Sequence, residues 1–88
     1  MIQIFIENDD PSHDLFATVT DLNTISPSVV LNSQRINRGN QAPANVQEDG
    51  NGNCLVNVHT VNVDSPNSSK DFNNQATQDG KIVSVDVF

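Results

Sequence analysis

The chain has 88 residues, eleven Asp and Glu against four Lys and Arg, a net charge of −7, one cysteine, four Phe and neither Trp nor Tyr. A chain this short makes one domain, residues 1–88, that buries only roughly 60–65% of its unfolded surface, which argues against a deep active-site cavity. A lone cysteine excludes an internal disulfide framework, no Cys-x-x-Cys offers a zinc site, and an acidic chain whose closest basic pair is Arg35 and Arg38 argues against binding nucleic acid or an anionic membrane.

No charged leader with an apolar run and no stretch of about twenty apolar residues occurs, so neither a signal peptide nor a transmembrane segment is expected. The expected location is the cytoplasm or a delivered particle.

The first predicted strand, Met1 to Glu7, alternates Ile2, Ile4 and Ile6 inward against Gln3, Phe5 and Glu7 outward. Phe5 on the outer side suits a contact with a second core or a partner subunit, or simple cover for its neighbours. Asn8 to Asp14 is a loop of turn-forming residues. Leu15 to Leu22 reads as a second strand with Leu15, Ala17 and Val19 on one face. After a turn around Pro27, Ser28 to Asn32 is a short third strand, and Gln34 to Asn37 could add an edge pairing. The polar run from Gln34 to Asn45 carries Gly39 and Pro43 and gives the weakest signal for regular structure.

From about Ala44 to Val63 the pattern is that of a hairpin, turning at Glu48-Asp49-Gly50-Asn51-Gly52-Asn53 with both Asp-Gly and Asn-Gly present. Cys54, Val56 and Val58 alternate, then Val61 and Val63 carry the apolar signal with opposite parity. A β-bulge at His59 or Thr60 would restore one face; coverage of both faces is the alternative. Asn57 and Asn62 are expected to face water. Asp64 to Ser69 is a loop, Lys70 to Ala76 is ambiguous around Phe72, and Gln78 to Lys81 is a turn. Ile82 to Phe88 closes the chain as a strand with Val83, Val85 and Val87 on one face.

No amphipathic helix can be drawn, and turn signals recur every ten or so residues. The expectation is an all-β, small antiparallel β-sandwich of six to seven strands, with a Greek key as one topology and an OB- or SH3-like barrel as the alternative.

Two loops could hold a hard cation. Asp49, Asn51 and Asn53 fall at the alternate positions that open an EF-hand loop, but Cys54 stands where that loop needs Gly and Thr60 where it needs Glu. Asp9, Asp10 and Asp14, with Glu7, crowd a second loop, which solvent or calcium would screen. Ser12-His13-Asp14 has the letters of a hydrolytic triad in an order that adjacent residues cannot use. Cys54 and His59 are too far apart along one strand for a dyad, and Cys54 reads as a small buried hydrophobe.

Asn67-Ser68-Ser69 fits a glycosylation acceptor by chance, and Asn51-Gly52 invites deamidation. The expected function is a non-catalytic structural or protein-interaction module. It would self-associate through edge strands or the Phe5 face, with Phe5 and Phe88 as interface residues. The alternative is a small-ligand binding module, for a glycan or calcium, using the Asn/Asp-rich loops. No cofactor is expected beyond that ion.

Overall fold

A computed structural model describes residues 1–24 and 26–87; the interface expectation for Phe88 lies outside them. Seven strands form two sheets: β1 (Ile2–Asn8), β2 (Leu15–Asp21), β3 (Ser28–Ile36), β4 (Gln41–Val46), β5 (Asn53–Asn62), β6 (Ser69–Gln78) and β7 (Ile82–Val85). The three-stranded sheet has the order β4-β1-β7 and the four-stranded sheet β3-β2-β5-β6. No helix occurs among the described residues, so none is long and apolar enough to cross a membrane.

The architecture is the expected small β-sandwich. Its core is assembled from inward positions spaced two apart: Ile4 and Ile6; Leu15, Ala17 and Val19; Ala42, Ala44 and Val46; Cys54, Val56 and Val58; Val83, Val85 and Val87. Ile2 packs at its margin. Strands alternate in direction along the chain, so the odd-numbered neighbours β1 and β7 are necessarily parallel, with Phe5 opposite Ile82 and Asn8 opposite Val85. Every other pairing is antiparallel. β5 returns beside β2 by way of β4 in the opposite sheet.

Several expectations change. The hairpin across Glu48 to Asn53 is an arch, because β4 pairs with β1 and β5 with β2 and β6, in different sheets. Asp49 makes the arch: its N–H donates to Asn53 O at 2.8 Å and its Oδ1 accepts from Asn51 N at 2.8 Å. Gly50 and Gly52 take positive φ, 91° and 82°, which glycine reaches without a steric penalty.

β5 has no extra residue of its own. The register runs Val56 opposite Gln75, then Val58 opposite Phe72, so the bulge is in β6. There Asn74 adopts φ 55° and its N–H donates to Asn57 Oδ1 at 2.8 Å.

The parity change along β5 is therefore real. Thr60 and Asn62 take the inward positions, while Val61 faces outward opposite Phe16. Thr60 Oγ1 donates to Asp86 O at 2.7 Å and Asn62 Oδ1 accepts from Asp64 N at 2.9 Å. Asn62, expected in water, is thus buried, and Asn57 is half-buried on the outer face.

The weak stretch contains β4, and β3 runs through the two segments that the sequence separates, with register shifts and a positive φ at Ser33 of 49°. Lys70 to Ala76 belongs to β6.

Candidate functional site

β1 separates the two acidic loops. Its Glu7 end pairs with Gln41 and its Ile2 end with Val46, so residues 9–14 lie at one end of the sandwich and residues 49–53 at the other. Seven extended residues span roughly 20 Å. One ion cannot serve both loops.

At the first end the Asp10 side chain is buried and fully used. Oδ1 accepts from Ser12 N at 3.0 Å, His13 N at 2.9 Å and the His13 ring Nδ1 at 2.9 Å, and Oδ2 accepts from Val87 N at 3.2 Å. Burial pushes its carboxyl up, and the donors from Ser12, His13 and Val87 together outweigh that and hold it below the usual value of 3.8. Asn8, buried beside it, accepts from Asp10 N at 2.9 Å and donates to Ile36 O at 2.9 Å and His13 O at 2.8 Å.

Asp14 turns away, accepting from Arg38 N at 2.9 Å and Arg35 Nη2 at 3.1 Å. The Arg38 N–H is the main cause of its lowered pKa; partial burial opposes it and Arg35 adds to it. Asp9 is exposed, its N–H given to Val85 O at 2.8 Å.

A hydrolytic relay would need the hydroxyl and the carboxylate on different ring nitrogens. Here Ser12 Oγ, at 3.4 Å, and Asp10 Oδ1 both meet His13 Nδ1, while Asp14 is bonded elsewhere. Cys54 faces the core. Burial and the nearby Asp21 charge raise its thiol, against a weak bond to Thr77 O. His59 faces outward, bonded to Asp71 at 2.6 Å.

At the second end Asp21, on the inward face of β2, is the counterpart of Asp10. Oδ1 accepts from Asn23 N at 3.0 Å, and Oδ2 accepts from Gln47 N at 2.8 Å, tying the β2 exit to the arch. Asp49 Oδ1 is taken by Asn51 and Asn53 N–H groups, and Asn53 Oδ1 accepts from Gln78 Nε2 at 2.9 Å. Among the described residues no three His, Cys, Asp or Glu side chains converge as metal ligands.

Surface relief is shallow. One depression of about 430 Å³ lies between β6 and β7, against Ala76, Lys81 and Ile82. Another of about 380 Å³ lies beside Asp9, Pro11 and Arg38.

The outer face of the three-stranded sheet carries a different arrangement. Phe5 is opposite Pro43 on one side and Ile82 on the other. Directly paired residues share a face, so Pro43, Phe5 and Ile82 form an apolar row across all three strands. Phe5 is half-buried, Pro43 exposed and Ile82 49% exposed. Gln3, Asn45, Glu7, Gln41 and Ser84 flank the row, and of these five only Glu7 is charged.

Sequence parity finds Phe5. Pro43 and Ile82 emerge only from the register, and Asp21 was readable as the next inward position after Leu15, Ala17 and Val19. Set against family models, curated proteins and solved structures, the chain matches none of them.

Proposed function

We propose that the chain is a non-catalytic structural or protein-interaction module whose partner is a second copy of itself, and that the contact is the outer face of the β4-β1-β7 sheet. The Pro43–Phe5–Ile82 row carries this reading. It has the layout of a protein contact, an apolar centre within a polar rim. Two copies of a chain with net charge −7 repel each other, and a face whose central row is apolar and whose flanking strand positions carry one charge is where they can approach closely.

Strand edges are less suited. Pro43 removes a donor from β4, bulges distort β3 and β6, and β7 has four residues. The non-catalytic part of the proposal is supported by the buried carboxylates Asp10 and Asp21, whose oxygens are taken up by main-chain and His13 donors.

Three strands about 4.8 Å apart and about six residues long offer roughly 300 Å² of face, well short of the ~800 Å² per partner of a stable interface. Association is accordingly weak and concentration-dependent.

Light scattering coupled to size exclusion, at two concentrations and with calcium or chelator, tests it. The expected result is a calcium-independent rise in mass with concentration that is lost in both Phe5→Ser and Ile82→Lys, each checked for folding by circular dichroism. A monomer at every concentration, or association untouched by either substitution, overturns it. A monomer that changes shape with calcium would put the Asp/Asn loops in its place.

A further inference from the structure

Thirteen asparagines are spread along the chain. An asparagine deamidates when the main-chain nitrogen of the next residue attacks its side-chain carbonyl carbon, so the state of that nitrogen decides which asparagine reacts. Asn32 and Asn67 each precede a small serine. The Ser33 N–H is given to Thr18 Oγ1 at 3.1 Å and the Ser68 N–H to Ser65 O at 2.8 Å. After Asn73, the Asn74 N–H is held by Asn57 Oδ1. The residues after Asn40, Asn45, Asn53, Asn57 and Asn74 lie within paired strands.

Asn51 differs. It is exposed and opens the one Asn-Gly pair in the sequence. Gly52 lies outside any strand at φ 82°, and among the described residues no acceptor is bonded to its N–H. Lacking a Cβ, it neither shields its nitrogen nor resists the backbone rotation that ring closure requires.

Asp49-Gly50 and Asp79-Gly80 could close the same ring, yet Asp49 Oδ1 is held by two N–H groups and the Gly80 N–H is given to Gln3 O at 2.8 Å.

We propose that Asn51-Gly52 is a site of spontaneous covalent modification that the native fold leaves reactive while holding the nitrogens that follow Asn32, Asn67 and Asn73. The Gly52 nitrogen bonds to Asn51 Cγ, the Cγ–Nδ2 bond breaks, and Nδ2 departs as ammonia carrying the proton lost by Gly52, leaving a five-membered succinimide. Water then opens the ring at either carbonyl, giving aspartate or an isoaspartyl linkage. Only water is consumed. Both products place a second carboxylate close to Asp49, and the isoaspartyl product adds a methylene to the main chain of the arch between the sheets.

Peptide mapping by mass spectrometry tests this on folded protein kept warm in mildly alkaline buffer, beside a portion unfolded in urea. In the folded sample Asn51 converts to aspartate and isoaspartate while Asn32 and Asn67 stay intact. In urea Asn32 and Asn67 begin to convert, because the serine nitrogens are released. Asn51→Gln removes the acidic product that accumulates in the folded sample. Persistence of Asn51 in the fold while the urea sample converts, or conversion of Asn32 or Asn67 in the fold at the rate of Asn51, overturns the proposal.

Discussion

At Asp10 burial and hydrogen bonding pull the same carboxyl in opposite directions, and hydrogen bonding wins. With Asp14 also lowered, the consequence for stability has a definite sign. Well above the ordinary value of 3.8 both groups are ionised whether the chain is folded or not, and their stabilisation is fully present. As pH falls through that value the unfolded chain takes up protons first, and stability drops until the lower folded values are passed. Far-ultraviolet circular dichroism during urea unfolding should show stability falling on acidification below that value. Asp10→Asn should flatten the fall and cost about 1–3 kcal/mol at neutral pH, since an NH2 group would then face N–H donors. The buried Cys54 thiol, its pKa raised, should resist alkylation at neutral pH and react once urea opens the core, as thiol labelling can follow. That Cys54 is inward was legible from its parity with Val56 and Val58. The role of Asp10 was not: the sequence shows four acids in a loop, and one of its donors, Val87 N, lies 77 positions away.

Strands were legible wherever branched residues alternate with polar ones, as in β1, β2, β5 and β7. β4 was not, because Ala42 and Ala44 bury little surface and have weak strand preference, and Pro43 reads as a breaker. Its place explains the proline: β4 is an edge strand, and a residue without an N–H presents no donor to a passing chain. Pro43→Val should therefore preserve the β1 pairing yet open the β4 edge, raising turbidity and thioflavin signal on prolonged incubation relative to the parent. Pairing itself was the illegible part. The Asp-Gly-Asn-Gly run announces a change of direction, and nothing local says whether the strand after it returns within the same sheet or crosses to the other. The displaced bulge has the same origin, since the sequence of β5 records the parity change while the residue that absorbs the mismatch, Asn74, sits on a neighbour.

For the molecule as a whole, the net charge of −7 opposes the association proposed for the Phe5 face. Salt screens repulsion between exposed charges, with a Debye length of about 10 Å at 0.1 M. The concentration at which mass begins to rise should therefore fall as sodium chloride is added, a shift that sedimentation velocity can follow. The connectivity has another consequence. β2 with β3 and β5 with β6 are pairs of consecutive strands, whereas β1 is held between β4 and β7, near the opposite end of the sequence. Closing such long loops is entropically slow. In refolding followed by pulsed hydrogen exchange, amides of β2 and β5 should gain protection before those of β1. During synthesis β1 leaves the ribosome before the other six strands and would wait longest for its second neighbour, spending that interval with Ile4 and Ile6 uncovered, a hazard set by the order in which the strands are made.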